Sequence, residues 1–166
     1  MTRIHYLNGL AVLGAIAAVQ APQAMAQSVD AGVEATTDEV RRGLSWSDGE
    51  ISASADASVG FAGLDASVRM AALRKSDRHA NADVVGDVAI GKDWEAGAIT
   101  LRTEAIGHFF GGADIGADYG EVGLGARYSI GPLQVRADAF YAPKQDAIGG
   151  DNLYLRGSAN FGVPAL

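Results

Sequence analysis

Strict alternation of two kinds of side chain is the feature of this sequence that most restricts its fold. Between Ile51 and Val59 every odd position is apolar and every even position is Ser or Asp. The same period of two recurs in 64–70, 99–105, 121–130, 133–141 and 153–161, and it is looser in 82–90. Because successive side chains of a β-strand point to opposite faces, this period predicts strands. No segment after residue 26 has a helical period, so the chain is predicted to be all-β.

The two faces of these predicted strands differ sharply in charge. One face is apolar, and the other carries Asp, Glu or Arg on nearly every strand. Charges buried in a soluble core are costly unless they are paired. In an outer-membrane barrel the apolar face contacts lipid and the charged face lies toward a wet lumen. The pattern therefore favours an antiparallel transmembrane meander β-barrel over a soluble periplasmic β-domain.

The connections between the predicted strands alternate in length. Short connections are predicted at 60–63, 93–97 and 129–132. Longer ones, polar and rich in Gly and Asp, are predicted at 74–82, 111–120 and 142–152, and 47–50 joins this series by its order. Outer-membrane barrels have short turns at the periplasmic end and longer loops at the other. If 30–46 is counted as one long strand, about eight strands are visible.

Aromatic residues near the predicted strand ends are expected to form a sparse girdle at the membrane interfaces. They are Trp46, Trp94, Phe109, Tyr128, Tyr141 and Phe161.

The N-terminal segment predicts export. Arg3 precedes an apolar run of about ten residues, and Ala24 and Ala26 fit a signal-peptidase site. We therefore expect residues 1–26 to be a cleaved signal peptide and residues 27–166 to form one domain in the outer membrane. The apolar run is shorter than the ~20 residues that a spanning helix needs.

Composition limits the partners of the exported chain. The signal segment holds one of the thirteen Lys and Arg residues and none of the twenty Asp and Glu residues, so the remainder has a net charge of −8. This charge argues against a nucleic-acid partner. The sequence has no cysteine, so its stability is expected to come from packing or from lipid and not from disulfides.

One stretch resembles a known family. "VEATTDEVRRGLSWSDGEISASADASV" is similar to the start of the TorF-type porins of proteobacteria, through Arg42-Gly43-x-Ser45-x-Ser47-Asp48-Gly49. Segments 118–143 and 152–164 resemble later hairpins of that family. The resemblance implies a porin with a longer barrel than the one visible here, so that the chain ending at Leu166 would be a fragment of a barrel of about twelve strands. An eight-stranded closed barrel is the alternative.

Charged residues on the predicted inner face are the candidate pore lining. They are Arg42, Asp56, Asp65, Arg69, Asp87, Arg102, Glu104, Arg127, Arg136, Asp138 and Arg156. They would either bias which ions or solutes pass, or fill a narrow interior with salt bridges. The salt-bridge plug is favoured for eight strands, and a lining is favoured more for twelve.

The sequence offers little for other chemistry. Asp114, Asp118 and Glu121 could supply oxygen ligands for Ca²⁺, but a solvated acidic loop is the simpler interpretation. Ser76 and His79 lack an orienting acid, and His108 lacks a partner at metal-ligand spacing. We therefore predict no catalytic residue, metal or cofactor. The expected function is passive diffusion of small solutes or ions across the outer membrane. The alternatives are a structural or surface-interaction barrel without conductance and a lipid-modifying outer-membrane enzyme.

Overall fold

The computed structural model describes residues 27–162, and in that range the chain is all-β. The strands are β1 (Gln27–Thr36), β2 (Val40–Arg41), β3 (Leu44–Ser45), β4 (Ser52–Phe61), β5 (Leu64–Ser76), β6 (Ala82–Ala96), β7 (Ile99–Gly111), β8 (Tyr119–Ile130), β9 (Leu133–Ala142) and β10 (Asn152–Phe161). A single 3₁₀ turn, Asp77–His79, follows β5 within these residues. No helix in this part of the chain has the length and apolar character needed to span a membrane. The expected signal peptide and the chain end at Leu166 lie outside the described residues.

Eight strands form one antiparallel sheet in the order β1-β4-β5-β6-β7-β8-β9-β10. Each strand pairs with the next long strand along the chain, which confirms the predicted meander. Strands β2 and β3 form a separate hairpin between β1 and β4. Within residues 27–162 no ladder joins β1 to β10, so the described sheet has two edges.

The connections alternate in length as predicted. Two-residue turns at 62–63, 97–98 and 131–132 lie at what we call the short-turn end of the sheet. Ala62 and Gly63 have φ values of 51° and 75°, which fit the left-handed positions of a tight hairpin turn. The connections 37–51, 77–81, 112–118 and 143–151 lie at the opposite, long-connection end.

The prediction of one long strand over 30–46 was wrong. Strand β1 ends at Thr36, and the chain then folds into the β2–β3 hairpin, which turns at Arg42 and Gly43 with φ values of 53° and 77°. The predicted connection 47–50 is therefore only the end of a fifteen-residue connection, 37–51. Backbone alternation continues through a two-residue turn, so the sequence pattern did not reveal it.

The placement of Trp46 in an aromatic girdle was also wrong. Only 7% of Trp46 is exposed, because it packs into a cluster at the long-connection end. That cluster is formed with Ala71, Leu73, Ala82, Val85 and Phe110. The other five predicted girdle residues are at least 40% exposed.

The two faces of the sheet are divided as the alternation predicts. Large apolar side chains on each of the eight long strands are exposed on one face, which we call the outer face. Val33, Val68 and Leu124 are examples. The opposite, inner face carries the charged side chains and lines a half-open cavity.

Candidate pore lining on the inner face

The inner face lines a half-open cavity of about 740 Å³. Its wall is formed by side chains from β5 to β10 and by the β2–β3 hairpin. Nine of the eleven predicted lining residues line it: Arg42, Arg69, Asp87, Arg102, Glu104, Arg127, Arg136, Asp138 and Arg156. Asp56 and Asp65 are outside this lining. Asp56 faces Gly32 of the edge strand β1, and Asp65 lines a smaller pocket beside the 62–63 turn.

Cross-strand register arranges the charges in rows. One row runs Asp56, Arg69, Asp87, His108 and Tyr119, each residue directly opposite the next. Charges of opposite sign alternate at its start, which stabilises neighbouring strands. The row lies nearer the long-connection end of the sheet.

The β2–β3 hairpin is held against this row by ion pairs. Arg41 donates hydrogen bonds to Asp87 and to Glu39, both at 2.7 Å. Arg69 donates to the same Glu39 carboxylate at 2.6 and 3.1 Å. The hairpin therefore lies on the inner face, tied to strands β5 and β6.

The tip of the hairpin reaches farther across the cavity. Arg42 pairs with Glu121 of β8, whose side chain is only 2% exposed. The Arg42 guanidinium also lies over the rings of Tyr154 and Phe140, 4.5 and 5.1 Å from their centroids. Such cation–π contacts add to the ion pair. The hairpin thus contacts both sides of the cavity.

His108 links the two carboxylates that anchor the hairpin. Its Nδ1 lies 2.7 Å from Asp87, and its Nε2 lies 3.4 Å from Glu121. The sequence interpretation found no partner for His108, because both carboxylates come from other strands. The register of β6, β7 and β8 brings them together.

A second charged group lies nearer the short-turn end. Arg102 donates two hydrogen bonds to Asp65, at 2.7 and 2.8 Å, and one to Asp93 at 3.0 Å. Glu104 is 3.6 Å away. Asp93 was not among the predicted lining residues, although the turn at 97–98 places it directly opposite Arg102.

A third group is built on β9 and β10. Asp138, with its side chain 2% exposed, accepts hydrogen bonds from Arg136 and Arg156 at 2.9 Å. Arg127 is different, since its nearest carboxylate oxygen, on Asp93, is 4.0 Å away. Most charged side chains of the inner face are therefore in ion pairs. Among the arginines of this face in the described residues, Arg127 has the weakest contact with a carboxylate.

The sequence interpretation missed the groups that hold the hairpin. Glu39, Arg41, His108 and Glu121 were not in the predicted lining. The signal for one of them, Arg41, was its place beside the predicted lining residue Arg42, immediately before Gly43. A residue beside a tight turn would present its side chain to whatever face the hairpin covers.

The carboxyl groups at the base of the hairpin have lowered pKa values. Burial by itself raises the pKa of Glu39, but hydrogen bonds from Arg69 and Arg41 outweigh it and lower that pKa below its usual value. A hydrogen bond from Ser45 lowers the pKa of Asp38, and Ser47 adds to this effect. Glu39 therefore keeps its charge, and its pairs with Arg41 and Arg69, to a lower pH than an ordinary glutamate would.

The other chemistry considered from the sequence finds no support in the geometry of the described residues. Ser76 donates to Asp48 at 3.3 Å and not to His79. Asp114 accepts from Asn81, Asp118 accepts from the backbone of Phe110, and Glu121 pairs with Arg42. No group of metal ligands is found in residues 27–162.

His79 gives the long-connection end a pH-dependent contact. Its ring stacks on Phe110 at 4.8 Å and lies 4.1 Å from the Trp46 ring. Burial lowers its pKa from 6.5 to about 4, with help from Arg78 and Arg41. The folded protein therefore holds His79 neutral at a pH where the unfolded chain would be protonated.

We expect the protein to lose thermal stability as the pH falls from about 6.5 toward 4. The sign follows because the unfolded chain takes up a proton at His79 below about pH 6.5, whereas the folded chain keeps this ring neutral until about pH 4. Proton binding therefore favours the unfolded state throughout that range. The measurement is the unfolding temperature at pH 7.5 and pH 4.5, followed by circular dichroism. The variant His79→Phe keeps an aromatic ring and should show a smaller drop; an equal drop would contradict this role.

Comparison with known protein families assigns the chain to a family. A family model described as a bacterial protein of unknown function, Gcw_chp, matches residues 20–166. No curated protein and no solved structure matches the chain.

Proposed function

Since the chain belongs to Gcw_chp, a family of bacterial proteins whose function is unknown, we propose a function from the geometry of the sheet and its two faces. The proposal is that it is an outer-membrane β-barrel porin through which small solutes or ions diffuse passively. Lipid contacts its outer face, and the charged cavity provides the route. We assign it no catalytic step.

The observation that carries this proposal is the inverted distribution of side chains. Large apolar residues are exposed on the outer face of all eight long strands. Soluble monomers rarely expose contiguous apolar patches larger than a few hundred Å². The same surface is favourable against hydrocarbon, where the outer band of a barrel must be apolar.

The inner face has the complementary character. Its cavity is lined by arginines and carboxylates, which a wet lumen tolerates and a dry core does not. The two signs are interleaved, so ion pairs offset much of the cost of crowding the charges. A cavity of about 740 Å³ provides room for water and small solutes.

Two further features agree with the proposal. The connections alternate between two-residue turns and longer loops, as in outer-membrane barrels. The sequence also resembles the TorF-type porins, whose family pattern includes the stretch that forms the β2–β3 hairpin. The proposal requires β1 and β10 to be joined in the membrane, either directly or through additional strands.

A barrel without conductance is the second candidate, and the hairpin favours it. Arg41 and Arg42 hold the hairpin across the inner face through pairs with Asp87 and Glu121. A segment in this position narrows the route. In this alternative the long connections at 77–81, 112–118 and 143–151 act as the contact surface.

Single-channel recording tests the proposed porin. We expect stable conductance steps in planar bilayers from a purified protein in which β1 and β10 are joined through additional strands, and no steady steps from residues 27–166 alone. Replacing Arg102, Arg127 and Arg136 together with Gln should shift selectivity toward cations, because it removes three positive charges from the lining. The ratio of anion to cation permeability, from reversal potentials, is the readout.

A charge-matched control removes positive charge from outside the cavity. Arg74, Lys75 and Arg78 are exposed at the long-connection end, and replacing them with Gln should change selectivity less. If the protein with its closing strands folds and inserts into the membrane but gives no steps at all, the porin is rejected and the non-conducting barrel is favoured.

A further inference from the structure

One row of the inner face contains an arrangement that folding alone does not explain. Thr100, Arg127, Arg136 and Ser158 are consecutive cross-strand partners on β7, β8, β9 and β10. Arg127 and Arg136 are therefore directly opposite each other. Like charges at directly opposed positions destabilise a strand pair.

The two guanidinium groups are also incompletely paired. Arg136 uses its Nε to reach Asp138 at 2.9 Å, and none of the described residues accepts from its two terminal nitrogens. Arg127 makes no hydrogen bond within residues 27–162, and its distance to Asp93 is 4.0 Å. Asp93 is already held more closely by Arg102, at 3.0 Å. The terminal N–H groups of both arginines are therefore available at the cavity wall.

The surroundings add no carboxylate that would neutralise the pair. Asp138 is shared between Arg136 and Arg156, so three arginines from neighbouring strands face one fully occupied carboxylate and a distant one. Glu95 lies beyond Thr100 in the same row, but it is exposed and pairs with none of these arginines. The local charge is positive although the chain as a whole is negative.

We propose that Arg127 and Arg136 form a binding site for a phosphate group carried by a small dissolved solute. Guanidinium groups bind phosphate oxygens in a bidentate way, and two opposed groups match the charge of a doubly ionised phosphate. Thr100 and Ser158 flank the two arginines in the row, where their hydroxyl groups can donate further hydrogen bonds. A bound phosphate also removes the repulsion between the arginines.

This site names a class of solute for the proposed porin, and it rests on that function only for the route by which the solute arrives. The row lies close to the two-residue turns at 97–98 and 131–132. A solute held there would be at the short-turn mouth of the cavity. Binding can be measured on protein in detergent without any conductance, so the two proposals can fail separately.

Isothermal titration of the full chain with inorganic phosphate, in micelles free of phospholipid, tests the site. We expect saturable binding, weakened about tenfold or more by Arg127→Gln and further by Arg127→Gln with Arg136→Gln, since each loses a charge-assisted hydrogen bond. The control, Arg78→Gln with Lys144→Gln, removes two exposed charges and should bind as the parent does. A parallel titration with a soluble short-chain phosphatidic acid distinguishes a lipid headgroup from a dissolved phosphate.

Thermal unfolding gives a second test, because the effect of Arg127→Gln on the unfolding temperature should depend on whether the buffer contains phosphate. Without phosphate, Arg127→Gln should unfold at the same temperature as the parent or higher, because it removes a like-charge contact. With phosphate, the parent should be stabilised and the variant should not. Equal binding by parent and double variant, no saturable binding by the folded parent, or binding of the phosphatidic acid alone would each overturn the proposal.

Discussion

Replacing Val68 with arginine should lower the free energy of unfolding in a lipid bilayer by about 2–4 kcal/mol, the cost of an arginine facing the bilayer midplane. Val68 lies in the middle of β5, on the outer face, and is 49% exposed. If that face contacts hydrocarbon, the guanidinium loses its hydration when the strand inserts. The measurement is a urea titration of protein refolded into vesicles, with the folded fraction read from the intensity of the folded band in gel electrophoresis of unheated samples. The variant should lose this band at a lower urea concentration than the parent.

The neighbouring position provides a matched control. Ser67 is on the inner face of the same strand, and it lines the cavity. Ser67→Arg adds the same charge at the same depth but directs it toward water, so its effect should be much smaller. Equal effects of the two substitutions would show that the faces are assigned wrongly. Recovery of the unmodified protein in the soluble periplasmic fraction would contradict the membrane location itself.

The contrast between Val68 and Ser67 rests on a property that sequence can carry. Side chains alternate along a strand whatever surrounds it, so a period of two identifies both the strand and its faces. The positions of the short turns then follow from Gly63, Gly97 and Gly131. This is why the meander and the alternation of connection lengths were predicted correctly.

The β2–β3 hairpin was not predicted because its position depends on contacts between distant parts of the chain. Read locally, 30–46 continues as one strand, and Trp46 reads as an interface anchor. In the structure, Arg41 meets Asp87 across forty-six positions, and Arg42 meets Glu121 across seventy-nine. No local period contains such pairs. They depend on a register that is fixed only once all eight strands are assembled.

The partners of the predicted lining arginines illustrate the same limit. A plug of salt bridges would pair Arg102, Arg127 and Arg136 with Asp87, Glu104 and Asp138. Arg136 does pair with Asp138. Arg102, however, pairs mainly with Asp65 and Asp93, and Asp87 of β6 pairs with the hairpin residue Arg41. Counting residues back from the turn at 97–98 would have placed Asp93 opposite Arg102. The contact of Arg102 with Asp65 crosses from β7 to β5, and it could not be counted in this way.

Removing the two hairpin arginines should destabilise the protein and open its route at the same time. In Arg41→Gln with Arg42→Gln, the carboxylates of Glu121 and Asp87, whose side chains are only 2% and 15% exposed, lose their arginine partners. Breaking a buried pair from one side typically costs 3–5 kcal/mol, and we expect a loss of about that size in urea unfolding. The cation–π contacts of Arg42 with Tyr154 and Phe140 are lost as well.

Single-channel conductance of this double variant distinguishes two roles of the hairpin, a constriction of the route and a structural support. If it narrows the route, the double variant should show larger single-channel steps than the parent, despite its lower stability. The control is Arg74→Gln, which removes an exposed arginine that bonds only the backbone of Ile51 in the described structure. A second double variant, Arg41→Lys with Arg42→Lys, keeps the charges but loses the planar guanidinium with which Arg41 bridges Glu39 and Asp87. It should therefore fall between parent and Gln variant in both measurements. If the Gln variant were destabilised with unchanged step size, the hairpin would be a structural brace beside the route and not a constriction within it.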